Sequence, residues 1–325
     1  MEWTRAQSSV RGCYVTIPTM FQEPDLEVDL AAIRRHVSFL VEGGIRTGTG
    51  LVLAGGAAGD FSTMTLEERI RVAEAVVSEA DGRVPVVMGA QTTSTRDLVD
   101  LAIGAEKVGA ELIQVSPPYY FAHTEDDFFD YVMAAADAAE VGIIIYNTHW
   151  TSYGVSTAMV ERLATIPNVV GLKWSAPDSG FMEFEQALSW FADRFAVIDN
   201  QLRFTTSHML GASAIEVHVC NYWPQWGVQL WELLESGEYV AAQTELVKVA
   251  MPFMALWKEM EHHTGGDGYL DKLCMELVGL GSSRCRPPTR DLRDQFRQRA
   301  YEMLLATGVP RLSPPTEVGG VAAAE

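Results

Sequence analysis

Positive charge is scarce in this chain. Lysine and arginine together number 24 against 43 aspartates and glutamates, a formal net charge of −19. A surface of that sign argues against any role that depends on neutralising phosphates, so a nucleic-acid binder is not expected. Nor does it draw anionic substrates in through the overall field; an anionic ligand would need local donors. Cysteine is sparse too. Cys13, Cys220, Cys274 and Cys285 form no C-x-x-C pair, which argues against a zinc site and for reduced, buried thiols. Long apolar runs are missing: stretches such as Val141-Gly142-Ile143-Ile144-Ile145 fall far short of the ~20 residues that cross a bilayer. The start, Met1-Glu2-Trp3-Thr4-Arg5, has no basic segment followed by an apolar one. Neither a membrane partner nor a secretory leader is expected, and a cytoplasmic location is the expectation.

Against these lacks stands a regular alternation. Short segments rich in Val, Ile and Leu occur at 13–17, 50–54, 85–89, 112–116, 142–146, 169–173, 196–199 and 214–219. They do not alternate strictly, as expected of strands buried on both faces of a parallel sheet. Amphipathic stretches of helical length lie between them, at 30–41, 65–78, 98–108, 126–139, 157–164 and 182–191. The second begins Thr65-Leu66-Glu67-Glu68, a capping-box pattern. Eight such units predict a (β/α)₈ TIM barrel over residues 1–222. The runner-up is an open doubly wound sheet, but no G-x-G-x-x-G follows the first strand. Beyond residue 222 only helical patterns remain, at 226–234, 239–260, 269–280 and 289–305, so 223–310 reads as a C-terminal helical extension or small helical domain. Residues 311–325, with Pro314-Pro315 and Gly319-Gly320, read as a disordered tail.

Barrel enzymes carry their chemistry where the strands end. Lys173 closes the segment Val169-Val170-Gly171-Leu172-Lys173. A lysine in an apolar strand is costly to bury charged. It either snorkels or pairs with a carboxylate at the strand end, or it serves as a neutral amine that attacks a carbonyl. Tyr146 ends the preceding strand, either as a space-filling rim residue or as a group that donates and accepts a proton. Both side chains would converge on one cavity. The turn Gly55-Gly56-Ala57-Ala58-Gly59 is either a tight turn or a nest of backbone N–H groups for an anion. Glu216 and His218 stand two apart on the last predicted strand and so would share a face, inward or outward.

In order along the chain, the Gly-rich turn with Leu66-Glu67-Glu68-Arg69, then Ser116-Pro117-Pro118-Tyr119-Tyr120, Ile145-Tyr146-Asn147 and Gly171-Leu172-Lys173 resemble the G-T-T-G-E, T-P-Y-Y, Y-N and G-[IL]-K motifs of the dihydrodipicolinate synthase/N-acetylneuraminate lyase superfamily of class I aldolases. The resemblance covers roughly residues 12 to 305, with the tyrosine and lysine 27 residues apart. It implies an imine between Lys173 and a 2-oxo acid such as pyruvate or a pyruvate-derived adduct. It implies proton transfer by Tyr146, and a second tyrosine, Tyr120, that in synthase-type members reaches a neighbouring subunit's site. It also implies a homotetramer built as a dimer of dimers, and no metal or organic cofactor, because the protonated imine is itself the electron sink.

The departures bear on substrate. Ala57 and Ala58 take the place of the two hydroxyl residues that help to hold the oxo-acid carboxylate, leaving only the backbone N–H groups of the Gly56–Gly59 turn, and Asp60 replaces a glutamate. The run Thr148-His149-Trp150-Thr151-Ser152-Tyr153-Gly154 lacks the arginine with which true synthases hold their second substrate. His149 and Trp150 either pack a subunit contact or offer an aromatic face to an aldehyde with an apolar or aromatic part. If they face inward, Glu216 and His218 would add acid/base groups beside the lysine. The expectation is therefore a Schiff-base-forming aldolase or retro-aldolase that is not a standard dihydrodipicolinate synthase. The rivals are a sugar-acid or related hydro-lyase using the same lysine, and a non-catalytic oxo-acid-binding barrel.

Overall fold

The computed structural model describes residues 3–151, 153–178, 182–281 and 284–313. Parallel strands β1 (Gly12–Ile17), β2 (Gly50–Ala54), β3 (Val86–Gly89), β4 (Leu112–Val115), β5 (Gly142–Tyr146), β6 (Val169–Trp174), β7 (Ala196–Asp199) and β8 (Ala214–Glu216) close into a barrel in chain order, β8 returning to β1. The open-sheet alternative is thereby excluded. Helices α1 (Trp3–Ser9), α2 (Leu30–Glu42), α3 (Leu66–Ala80), α4 (Thr95–Val108), α5 (Glu125–Ala138), α6 (Thr157–Leu163), α7 (Glu183–Phe191) and α8 (Phe204–Met209) belong to the barrel unit. The capping box at Thr65 forms: the Glu68 N–H donates to the Thr65 hydroxyl at 3.2 Å, and the Thr65 N–H donates to Glu68 Oε2 at 2.9 Å. The short helices α1 and α8 have no counterpart in the sequence reading, because six or seven residues give too little periodicity to detect.

Every strand residue is buried, and the side chains sort into two apolar clusters. Tyr14, Leu51, Leu53, Val87, Leu112, Ile144, Val170, Ile198 and Ala214 fill the barrel interior, with Ala6 of α1 and Val10 closing its lower end. Their strand neighbours, among them Val15, Val52, Ile113, Ile145, Leu172 and Ile215, pack outward against the helices. On β6 this alternation slips. Ile143 pairs with Val169, but Ile144 pairs with Gly171, so Val170 is an extra residue in the ladder. Val170 points inward and Leu172 outward, a change of parity that a regular strand would not show. The bulge thus turns Lys173 into the barrel rather than towards the helices.

After β8 come α9 (Pro224–Glu235), α10 (Tyr239–Glu245), α11 (Met251–Met260), α12 (Tyr269–Leu277) and α13 (Arg293–Thr307), the middle pair joined by a π-helical turn over Leu246–Ala250. Residues of this stretch, such as Trp231, Phe253, Leu273 and Phe296, belong to the same apolar cluster as the barrel's outer shell. The extension is also tied to the barrel mouth by charge. Lys272 Nζ lies 2.5 Å from Asp60 Oδ2, both buried, and 4.5 Å from the centre of the Phe21 ring. Arg286 holds Glu68 at 2.7 Å and stacks on the same phenyl ring. At Gly268 the chain passes so close to the turn after β2 that a Cβ would stand 2.2 Å from the Ala58 carbonyl oxygen. All four cysteines are free and buried. Of the expected tail at 311–325, residues 314–325 lie outside the described residues.

Removing one partner of a buried ion pair leaves the other uncompensated, at a cost of about 3–5 kcal/mol. Lys272→Met is expected to lower stability by that order in urea unfolding. The double variant with Asp60→Leu should recover most of the loss, because both buried charges are then gone.

Candidate active site

At the C-terminal end of the barrel, Lys173 and Tyr146 face each other as register partners on β6 and β5. The lysine is 3% exposed and the tyrosine 7%. Lys173 Nζ sits between two aromatic faces, 4.5 Å from the Tyr146 ring centre and 4.9 Å from that of Tyr14. Its charge is met by Glu216 at the end of β8, with Oε2 at 2.6 Å from Nζ. The other carboxylate oxygen, Oε1, accepts from the Thr16 hydroxyl at 2.7 Å, so the glutamate is held from β1 as well. Asn200 Nδ2 donates to the Tyr146 hydroxyl at 3.1 Å, leaving the phenol's own proton free to be given. Burial, with Glu216 and Asp267 acting in the same sense, pushes Tyr146 well above the ordinary phenol range, against the Asn200 hydrogen bond; it stays protonated at neutral pH. Tyr14 spends its hydroxyl on Gln114 at 2.8 Å.

A second layer of charge comes from the helical extension. His218 Nδ1 lies 3.2 Å from both oxygens of Asp271, a fully buried carboxylate that also accepts from Asn221 Nδ2 at 2.9 Å. Burial disfavours a charged His218, but Asp271, followed by Asp267 and Glu216, outweighs it and lifts the imidazole to about 10. Asp267, one residue before the close approach at Gly268, is pushed up to about 6 by burial. The neighbouring carboxylates Asp271 and Glu216 add to that shift, while His218 and Lys173 oppose it. Around Lys173 and His218 thus stand the carboxylates Glu216, Asp271 and Asp267, the last held above the usual carboxylate range by burial.

The sequence reading placed Glu216 and His218 on one strand face. The strand stops at Glu216, and His218 opens a short 3₁₀ turn over His218–Asn221. Glu216 does point inward, since Ala214 two residues earlier lies in the interior cluster. His218 reaches the same mouth only because the chain turns there and Asp271 anchors it. Around the turn after β2, Gly56, Ala58 and Gly59 are buried and Ala57 is exposed. Trp150 is 54% exposed and stands edge-on to Tyr146, ring centres 5.7 Å apart; His149 is edge-on to Trp150 at 5.0 Å. Tyr120 is 81% exposed, with φ at +89° and its ring against Phe121. Asn147 has a scaffolding position: its side chain bonds Ser175 and Val155 across the loop between them.

Thr16, Tyr14, Asn200, Asp267 and Asp271 escaped the sequence reading. They come from three separate places in the chain, β1, the end of β7 and the start of α12. The only signal was Gly265-Gly266-Asp267-Gly268, an acid inside a glycine cluster just before a helix.

The model of the dihydrodipicolinate synthetase family matches residues 9–307. The chain belongs to this family. It is accordingly an aldolase-type lyase, as the ordered motifs around Lys173 imply. It is 28% identical to the 4-hydroxy-tetrahydrodipicolinate synthase of Methanopyrus kandleri over 304 residues, covering 92% of this chain and 97% of that one. Over a shorter stretch of 169 residues, 52% of this chain and 55% of the other, it is 37% identical to the synthase of the same name from Nitrobacter hamburgensis. The fold matches that of the dihydrodipicolinate synthase of Acinetobacter baumannii, solved with pyruvate, at a TM-score of 0.82 and 24% identity, covering 92% of this chain and 99% of that one. Among the described residues no helix of this family member is long and apolar enough to cross a membrane.

His218 supplies a pH test of the second layer. Its folded value lies above the ordinary 6.5, so the stability that its charge contributes is complete below about 6.5 and fades as pH rises towards 10. The urea midpoint of the wild type is expected to fall between about pH 7 and about pH 10, and His218→Gln to flatten that fall.

Proposed function

We propose that this protein forms a Schiff base between Lys173 and a 2-oxo acid, pyruvate or a pyruvate-derived adduct, and makes or breaks a carbon–carbon bond next to it. The observation that carries the reading is the Lys173–Tyr146 pair, buried register partners with the amine 4.5 Å from the phenol ring. The amine attacks the carbonyl carbon, the carbonyl oxygen takes a proton, and loss of water leaves the protonated imine. That cation then accepts the electron pair of the breaking bond. Tyr146, kept protonated and held by Asn200, is placed to give a proton to the carbonyl oxygen and, in the reverse sense, to accept one from the hydroxyl of an aldol.

The surroundings support a member other than a standard dihydrodipicolinate synthase. Ala57 and Ala58 have no hydroxyl, and the Gly59 N–H donates within the turn to the Gly56 carbonyl at 3.0 Å, so the turn offers a carboxylate only its remaining backbone N–H groups. No arginine occurs between Asn147 and Val155. In that loop Trp150 extends the aromatic wall of Tyr146 outward, with His149 behind it, a surface suited to an aldehyde with an apolar or aromatic part. The exposed Tyr120–Phe121 pair fits an assembly in which a neighbouring copy covers it, as in a dimer of dimers.

Borohydride added with pyruvate, or with other 2-oxo acids, is expected to add the mass of the reduced adduct at Lys173, and Lys173→Ala to abolish it. A folded wild-type sample that gives no adduct with any of them overturns the reading. Tyr146→Phe is expected to slow adduct formation by about 10²–10⁴-fold, the usual worth of a positioned acid/base group.

A further inference from the structure

Tyr146 accounts for one side of the lysine. The other side holds a carboxylate that the reaction outlined above leaves without a task. Glu216 is 7% exposed; its Oε1 accepts from the Thr16 hydroxyl at 2.7 Å, and its Oε2, which has no other partner among the described residues, stands 2.6 Å from Lys173 Nζ as an ion pair. Thr16 and Glu216 lie towards the ends of adjacent strands, β1 and β8, so the carboxylate is fixed by the barrel wall rather than by a loop.

That nitrogen is cationic at both ends of the reaction, as an ammonium and as a protonated imine. A buried cation needs a partner or it sheds its proton. A deprotonated imine is a poor electron sink, so the nitrogen needs an anion beside it whenever it is charged. Glu216 touches Lys173 from β6 and Thr16 from β1; Tyr14 from β1, Tyr146 from β5, His218 and Cys220 from the turn after β8, and Asp267 from the loop before α12 are the titratable groups within electrostatic reach of it. Tyr14 is bound to Gln114, and His218 is bound to Asp271. Of the carboxylates, Glu216 is the one in contact with Nζ.

We infer that Glu216 is a catalytic residue, the proton acceptor of the Lys173 ammonium and the counter-ion of the protonated imine that replaces it. The inference rests on the imine reading of Lys173. One proton passes from Nζ to Oε2, and the neutral amine attacks the carbonyl carbon. As the N–C bond forms, nitrogen loses a proton and oxygen gains one, exchanged through Tyr146. The proton on Glu216 then joins the carbinolamine hydroxyl, which leaves as water. The nitrogen is left as C=N⁺H beside a glutamate that is again an anion, so protons and charge balance over the cycle.

Cyanoborohydride reduces protonated imines selectively and so reads the proposed contact directly. Wild type, Glu216→Gln, Glu216→Asp and Thr16→Val are incubated with pyruvate and cyanoborohydride across a pH series, and the Lys173 adduct is followed by intact mass. Loss of an opposite charge at this distance moves a proton equilibrium by roughly 1–3 pH units, so Glu216→Gln is expected to trap about tenfold or more slowly near pH 8. Its loss of trapping should begin at lower pH than in the wild type. Glu216→Asp keeps the charge and should keep most of the wild-type profile. Thr16→Val keeps the charge but frees Oε1, and should give a smaller shift of the same sign; it also serves if Glu216→Gln does not fold. A wild-type profile in a folded Glu216→Gln, or in Thr16→Val where Glu216→Gln does not fold, overturns the role of Glu216 while leaving the imine reading intact. Absence of a Lys173 adduct in the wild type overturns both.

Discussion

A lysine amine turned into the barrel, and kept there by a carboxylate, is the constraint around which the rest of this molecule is arranged. Its direction is set by one surplus residue in β6. Without the bulge at Val170, the parity of the strand would send Lys173 into the helical shell and Leu172 into the cavity. Once inward, the amine cannot remain charged among Tyr14, Tyr146 and apolar neighbours without an anion, and Glu216 is the anion within reach. The ion pair, the two aromatic faces and the bulge form one unit, since the charge is tolerable only in that geometry.

The helical extension participates in this site rather than merely flanking it. Gly268 lies against the Ala58 carbonyl, and Lys272 is buried against Asp60, so the turn that lacks the usual hydroxyls is roofed by the segment that delivers Asp267 and Asp271. The close approach is to the Ala58 backbone, and it leaves no room for a side chain at 268. The same segment brings the charges that hold His218 protonated and raise Asp267. The charge cluster is thus divided between the barrel, which positions Lys173 and Glu216, and the extension, which adds Asp267 and Asp271 around them.

Much of the architecture was legible in the chain. Buried parallel strands leave contiguous Val/Ile/Leu runs, and the Thr65–Glu68 capping box fixed where α3 begins. Lys173 and Tyr146 were legible because a polar group at the end of such a run must be paired or used. Legibility failed where the signal was short or distant. The six-residue α8 and seven-residue α1 have too few turns to show a period. The last strand read as continuing to residue 219, because Val217 and Val219 keep an alternating apolar pattern through what is in fact a 3₁₀ turn.

By itself the sequence determined the barrel, the strand-end lysine and tyrosine, and the missing hydroxyls and arginine, all of which are local in the chain: composition, period and motif. Only the tertiary structure decided which way Lys173 and Glu216 face, and that Asp271 and Asp267 stand beside them from more than 50 residues further along. Facing direction depends on a bulge defined by its neighbour's register, and the charge cluster on contacts between β1, β6, β8 and α12. Electrostatic energy depends on distance through space and on exclusion of water, and neither is written in the order of the residues.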